Sequence, residues 1–313
     1  EVKRCYENIR FSLEDAGKGI LRVQNTYLFR SLDGYEVEWK VEVNGKTVCQ
    51  GVRELHAEAG TEEFVELAFP IPRAFWGDVV ILTVGARLDK DTAWANKGYE
   101  CAFAQFSLPV NYEFPQLSIE KQQEKGFYIT ETESRLHIAC SSVQLQFCRK
   151  TGELDTLEYE GENLLKTPLK PYFWRAATDN DRRSGYLDRC GVWKDAGDTR
   201  KLTSFFWRER EDRVEVYTGY RLATKPLSEC RILYSVEKSG KVKVELELVP
   251  AGGLPEIPAI GLLFTMERKY QQFLWLGNGP QESYWDRKEG VKIGLYSGTV
   301  NDQYVPYILP QEC

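Results

Sequence analysis

A strictly alternating run followed by a tight turn constrains the fold of this chain more than any other feature. From Tyr35 to Val43 every second side chain is apolar and the intervening ones are charged, which is the pattern of a β-strand with one buried face. Asn44-Gly45 follows directly, and this pair favours a two-residue hairpin because type I′ turns need positive φ at both positions. We therefore predict an antiparallel hairpin in which Val41 lies opposite Val48.

Similar short strands are predicted along the whole chain. About seven of them precede the break at Asn111-Tyr112-Glu113-Phe114-Pro115, as an immunoglobulin-like β-sandwich requires. The later strands are longer and have polar outer faces, which indicates a large antiparallel sandwich. The predicted fold is all-β, with domains at residues 1–112 and 113–313. Besides 35–43, the predicted strands are 20–24, 26–29, 63–69, 79–88, 102–109, 135–138, 143–147, 154–159, 213–220, 230–236 and 241–249.

The net charge and the cysteine spacing indicate which classes of partner and which cellular compartment suit this chain. The net charge of -6 and the pI of about 5.3 disfavour nucleic acid and anionic membranes as partners. The eight cysteines are dispersed and form no Cys-x-x-Cys pair, so we expect reduced thiols and no metal site. With no apolar run of membrane length and no secretory start, these features favour a bacterial cytoplasm over the periplasm. Because the first residue is Glu1, we expect the chain to be part of a longer protein.

A polar cluster after three aromatic residues is the first candidate for a site. Pro171-Tyr172-Phe173-Trp174 is followed by a segment whose members are Asp179, Asn180, Asp181, Arg182, Arg183, Ser184 and Gly185. If the segment is extended, the carboxyl groups of Asp179 and Asp181 lie roughly 6–7 Å apart. They either cap turns through backbone N–H groups or contact an ion or a sugar.

Other candidates are weaker. Glu282, Asp286 and Arg287 form a polar motif that we interpret as a structural ion pair, and His56 and His137 have no catalytic partner nearby in sequence. Two aromatic groups either pack in the core or stack on sugar rings. These groups are Tyr172-Phe173-Trp174 and Phe205-Phe206-Trp207.

Three long motifs occur in a fixed order. They are Phe173–Ala176 with Thr178–Asp181, then Gly277–Arg287, then Asp302–Tyr307. Together they resemble the signatures of the C-terminal half of the long β-galactosidases of glycoside hydrolase family 2. Residues 25–29 are similar to the strand pattern that follows the barrel domain of that family. The chain departs from the family at Ala177, where proline is usual.

The resemblance implies a fold and a role. The first domain corresponds to the immunoglobulin-like domain after the barrel, and the second to a large supersandwich related to galactose mutarotase and truncated at its C-terminus. Both catalytic glutamates of the family lie on the barrel, so no catalytic residue is expected in this chain. The segment 179–185 then borders the mouth of the active site, which the barrel mainly forms.

Partners and cofactors follow from the same resemblance. We expect no cofactor in this chain, with Mg and Na bound at the barrel domain. The partners are the N-terminal and barrel domains of the same polypeptide, a β-galactoside such as lactose, and further copies in a homo-oligomer. Two alternatives stay open from the residues alone: a stand-alone carbohydrate-binding module and a mutarotase-like enzyme.

Overall fold

The computed structural model describes residues 2–113, 126–284 and 287–305, and it confirms the predicted all-β class. The helical elements of these residues are short: α1 Val2–Cys5, α2 Asp179–Arg183, α3 Tyr186–Cys190 and three 3-10 turns. The strands are β1 Ile9–Asp15, β2 Ile20–Asn25, β3 Tyr35–Val43, β4 Lys46–Leu55, β5 Glu62–Glu66, β6 Ala74–Phe75, β7 Val80–Leu88, β8 Glu100–Ser107, β9 Tyr112–Glu113, β10 Tyr128–Glu131, β11 Arg135–Cys140, β12 Val143–Cys148, β13 Glu153–Tyr159, β14 Glu162–Asn163, β15 Thr167–Tyr172, β16 Lys201–Glu209, β17 Arg213–Leu222, β18 Ser228–Glu237, β19 Val242–Val249, β20 Gly261–Thr265, β21 Gln272–Gly279 and β22 Lys292–Thr299.

The chain forms two compact units, Glu1–Ser118 with Gln272–Tyr304, and Ile119–Gln271 with Val305–Cys313. The sequence division at 112/113 stays a prediction, and it did not anticipate that the β21–β22 hairpin belongs to the first unit. In the described ranges, no helix has the length and apolar character needed to span a membrane. The cysteines of these ranges are free thiols.

The first unit contains a three-stranded and a four-stranded antiparallel sheet. Their orders are β1-β2-β5 and β4-β3-β7-β8. Inward-facing side chains such as Leu21, Val37 and Leu82 are fully buried in one core, as the alternating pattern requires. Seven strands in these two sheets agree with the predicted immunoglobulin-like sandwich.

The hairpin between β3 and β4 forms as predicted, but its register differs. Asn44 and Gly45 have φ values of 51° and 75°, which are those of a type I′ turn. Val41 pairs with Cys49, whereas Glu42 pairs with Thr47. The predicted pairing of Val41 with Val48 is therefore wrong, because a β-bulge leaves one extra residue of β4 unpaired.

The predicted strand at residues 26–29 is also wrong, because the buried side chain of Asn25 turns the chain there. Its Nδ2 donates to the carbonyl oxygens of Arg30 at 2.8 Å and Ala57 at 3.0 Å, while its Oδ1 accepts the Tyr27 backbone N–H at 2.9 Å. Such side-chain bonds compete with strand pairing. The apolar side chain of Phe29, which looked like part of a strand, is 95% exposed.

The second unit is built from a five-stranded sheet β10-β11-β12-β13-β14, a four-stranded sheet β16-β17-β18-β19 and the pair β15-β20. Their inner faces share one core that includes Leu145, Phe147, Val216 and Tyr234. The strands predicted at 213–220, 230–236 and 241–249 are confirmed. The strand β16 was not predicted because a bulge between Leu202 and Ser204 interrupts its alternation.

Candidate functional site

The candidate segment after β15 begins with a capped helical turn. Thr178 is the N-cap of α2, and its hydroxyl accepts the Asp181 backbone N–H at 3.2 Å. In return the Asp181 carboxylate accepts the Thr178 backbone N–H at 2.9 Å. This reciprocal capping box satisfies two backbone donors at the helix start. The extended conformation considered for Asp179 and Asp181 is therefore wrong, since both lie in a helical turn.

The carboxylate of Asp181 also holds the side chain of Arg175. Arg175 Nη1 lies 2.5 Å from Asp181 Oδ2, and Nη2 lies 3.0 Å from Oδ1, which is a bidentate pair. Asp181 is only 9% exposed. The hydrogen bond from Arg175 is the main cause that lowers the pKa of Asp181 below its usual value. This carboxylate is therefore ionised and structurally engaged at neutral pH.

Tyr186 connects this pair to the end of the segment. The Arg175 guanidinium lies 5.1 Å from the centre of the Tyr186 ring, and the Arg189 guanidinium lies 5.7 Å from it. Arg189 Nε also donates to Glu256 Oε1 at 3.0 Å. The hydrogen bond from Arg189 is the main cause that lowers the pKa of Glu256. These contacts anchor α3 to the loop that precedes β20.

The segment rests on two buried aromatic rings. Phe173 and Trp193 are 1% and 0% exposed, and their ring centres lie 6.1 Å apart. Trp193 Nε1 donates to the Pro255 carbonyl oxygen at 3.2 Å, so its polar atom is satisfied inside the core. Core packing is therefore the role of Phe173, and Tyr172 and Trp174 are half-buried beside it.

The upper side of the segment is exposed. Asn180, Arg182, Arg183, Ser184 and Gly185 all face solvent. Gly185 has φ of +69°, and no atom lies within 4 Å of the position that a Cβ would occupy. This glycine is required by its backbone conformation and not by crowding.

Asp179 has a different partner from Asp181. Its Oδ1 lies 3.7 Å from Arg182 Nη1, within the same turn. Among the described residues, no group of three histidine, cysteine, aspartate or glutamate side chains is arranged to hold a metal ion. The two aspartates of the candidate pair thus have different arginine partners.

Sequence reasoning missed the side chains that fix this segment. The spacing Thr178-x-x-Asp181 was a usable signal, since it is that of a capping box. The partnership of Arg189 with Glu256 spans 67 residues, and no local pattern indicates it.

The polar motif of the first unit forms an ion pair. Arg287 Nη2 lies 2.9 Å from Glu282 Oε1, and the Arg287 guanidinium lies 5.1 Å from the Tyr284 ring centre. Asp286 lies outside the described residues. The ion pair is therefore present between Glu282 and Arg287, and the structural role of the motif stays a prediction.

The two histidines lie in separate surroundings. His56 is exposed, and its Nδ1 lies 3.0 Å from Asp33 Oδ1, a partner that the sequence did not indicate. That hydrogen bond is the main cause that raises the pKa of His56. His137 Nε2 lies 3.1 Å from Gln144 Oε1 on the neighbouring strand.

The second aromatic group divides between core and surface. Phe205 and Trp207 pack against the core of the second unit, whereas Phe206 is 52% exposed on the other face of β16. The Phe206 ring stacks on Tyr217, with centres 4.6 Å apart and planes at 11°. Of the three residues, Phe206 alone is exposed.

Comparison with known proteins extends over nearly the whole chain. The family described as "Beta-galactosidase, domain 4" matches residues 21–109, and "Beta galactosidase small chain" matches residues 139–313. Among curated relatives, a β-galactosidase of Priestia megaterium is 36% identical over 315 residues, which is 100% of this chain and 30% of the relative. A β-galactosidase of Clostridium acetobutylicum is 31% identical over 96% of this chain and 32% of the relative.

A third relative, a β-galactosidase of Lactobacillus delbrueckii subsp. bulgaricus, is 30% identical over 99% of this chain and 30% of its own length. The chain therefore spans about a third of the length of these relatives. The small-chain match covers more than half of the chain and includes the capped segment built on Thr178 and Asp181. This chain belongs to the β-galactosidase small-chain family.

Proposed function

We propose that this chain is the non-catalytic C-terminal part of a β-galactosidase that hydrolyses terminal β-D-galactosides with retention. The observation that carries the proposal is the extent of the match. Relatives named β-galactosidase align with 96–100% of the chain, whereas the chain spans only 30–32% of them. The remaining two thirds of such a protein then supplies the chemistry.

The contacts of the candidate carboxylates support this division of labour. A retaining glycosidase needs two carboxyl groups about 5–5.5 Å apart, one as nucleophile and one as acid and base. Asp181 instead holds Arg175 and caps a helix, and Asp179 pairs with Arg182. In the proposal, two glutamates of a barrel domain perform both steps.

The segment 179–185 has one fixed side and one exposed side, as the border of a ligand entrance would. We call it the rim. Its lower side is fixed by the capping box, the Asp181–Arg175 pair and the packing of Tyr186. Its upper side presents the exposed side chains of Arg182, Arg183 and Ser184. We propose that this rim borders the galactoside entrance formed mainly by the barrel.

The other partners of the proposal belong to the whole polypeptide. The N-terminal and barrel domains are its partners within the chain, Mg and Na bind at the barrel, and copies assemble into a homo-oligomer. A bacterial cytoplasm is the proposed compartment. The proposals on partner domains, metals, oligomer and compartment are supported by the family resemblance and by the expectations from the sequence.

The test uses the complete polypeptide that carries this chain, assayed with a nitrophenyl β-D-galactopyranoside. We expect hydrolysis, with the β-anomer of galactose released first. Replacing Gly185 with proline forces φ from +69° to about −65° and also disfavours the conformation of Ser184. We expect Gly185→Pro to lower kcat/KM at least tenfold.

Gly161→Pro is the matched control. Gly161 also has positive φ, 84°, and open space around it, but it lies in the β13–β14 turn. We expect less than a twofold change in kcat/KM there. Equal losses in both variants would remove the rim assignment, and a complete polypeptide without galactosidase activity would overturn the function itself.

A further inference from the structure

The outer face of the β16–β19 sheet carries a groove whose lining includes Gly219. Across the four strands, Ser204, Gly219, Arg231 and Glu247 are paired in one row. Residues in such a row share a face of the sheet, with neighbours about 5 Å apart. Since Gly219 has no side chain, neighbouring side chains can close over its backbone, and a groove of about 740 Å³ is lined by Gly219 together with Ser204 and Arg231 of the same row.

Two hydroxyl groups border the groove. The β-bulge between Leu202 and Ser204 turns Thr203 and Ser204 toward the same face. A Cβ built at Gly219 would lie 2.4 Å from Ser204 Oγ and 3.2 Å from Thr203 Oγ1. Both hydroxyl oxygens therefore lie next to the position that a side chain of Gly219 would take.

An aromatic pair forms one wall. Phe206 and Tyr217 occupy the next row and stack on each other, as given above. The position of Tyr217 is fixed by the neighbouring row of the same face, because its Oη donates to Glu215 Oε2 at 2.8 Å and accepts from Arg208. The wall is thus preorganised while Phe206 stays about half exposed.

Exposed ion pairs form the opposite wall. Arg231 lies 3.1 Å from Glu229 Oε2 and 3.4 Å from Glu247 Oε2, and all three side chains are more than half exposed. The lining of the groove contains two arginines and three glutamates, so its formal charge is close to balanced. A balanced lining does not select an anion or a polycation.

We propose that this groove binds a neutral pyranoside. A pyranose ring has an apolar C–H face, which suits the Phe206–Tyr217 wall, and a rim of hydroxyls, which suits the serine, threonine, arginine and glutamate groups. The volume lies within the usual range for small-ligand sites. This site goes beyond the proposed function, since it lies apart from the capped segment and its occupation involves no hydrolysis.

The test is titration of the 313-residue chain with methyl β-D-galactopyranoside and with lactose, followed by saturation-transfer NMR. We expect a dissociation constant of about 1 mM. Phe206→Ala removes the exposed ring, and Gly219→Ala displaces the Ser204 hydroxyl from its place in the lining, so each is expected to weaken binding at least tenfold. Phe64→Ala is the matched control, since Phe64 is 62% exposed on β5 of the other unit.

Each outcome decides the matter. Binding that is lost in the two groove variants and kept in Phe64→Ala supports the site, provided that the urea midpoints show all variants folded. Failure of both sugars to bind the parent chain, binding that either groove variant leaves unchanged, or an equal loss in Phe64→Ala overturns it. Because hydrolysis is not measured, failure here leaves the galactosidase assignment untouched.

Discussion

The two ends of the outer face of the β16–β19 sheet use charged residues in opposite ways. At one end Glu215 is 4% exposed and is surrounded by Arg208, Arg210 and Arg213 at 2.5, 3.3 and 2.9 Å. We call this group the closed cluster. At the other end Arg231 and its two glutamates stand in solvent at the groove whose lining includes Gly219.

The difference follows from burial. A buried carboxylate must be paired and hydrogen-bonded, so the closed cluster converges on one acid and leaves little capacity for a ligand. Exposed pairs contribute about 0–1 kcal/mol to stability, so their geometry is weakly constrained. The same strands thus carry the closed cluster, whose geometry is fixed by pairing, and the exposed ion pairs of Arg231, whose geometry can change.

The largest effect is expected at Glu215. Glu215→Gln keeps the shape of the side chain but removes the charge that the three arginines share, and we expect a loss of about 2 kcal/mol in the free energy of unfolding. Urea unfolding followed by tryptophan fluorescence measures it. Glu247→Gln on the open end is the matched control and should change stability by less than about 0.5 kcal/mol. Similar losses at both positions would contradict the comparison.

The closed cluster also predicts a pH dependence. Burial alone would raise the pKa of Glu215, but hydrogen bonds from the arginines and from Tyr217 outweigh it and lower the pKa to about 2. A lowered pKa stabilises the fold above the unfolded value of 4.5, and this contribution is lost as the pH falls through about 2. The stability difference between the parent chain and Glu215→Gln should therefore be constant above about pH 5 and shrink below it.

Urea midpoints of both proteins at several pH values between 7 and 3 measure this difference directly. Comparing the two proteins at each pH cancels the titration of the other carboxylates, which is common to both. A difference that stays flat down to pH 3 would show that Glu215 is not the titrating group.

The smallest effect is expected at the open end. Gly219→Ala places a Cβ against the Ser204 hydroxyl, the mobile end of an exposed side chain that can rotate away. We expect a change of less than about 0.5 kcal/mol in the urea-derived free energy of unfolding, since alanine also lowers the entropy of the unfolded chain. Gly152→Ala is the contrasting control.

At Gly152, φ is +72° and the added Cβ would meet Leu202 at 2.5 Å and Tyr220 at 2.8 Å. Both neighbours pack in the core, so we expect a loss of about 2 kcal/mol. If Gly219→Ala were as costly as Gly152→Ala, the open end would be as tightly packed as the core.

The strands with the longest uninterrupted alternation, such as β3 and β19, were predictable from the sequence. β3 and β19 were found from their period of two, because apolar residues that face a core alternate with charged residues on the other face. The prediction failed where a side chain or a bulge intervened. Asn25 ended a strand by bonding the backbone, and the bulges of β4 and β16 shifted a register and hid a strand.

By itself the sequence determined the all-β class, the Asn44-Gly45 turn and the family resemblance, because each rests on residues adjacent in the chain. Only the tertiary structure decided which groups meet: Arg189 with Glu256, Phe206 with Tyr217, and the arginines with the buried Glu215. Local periodicity gives the face on which a side chain lies. Its partner depends on strand register and burial, which the packing of the whole unit sets.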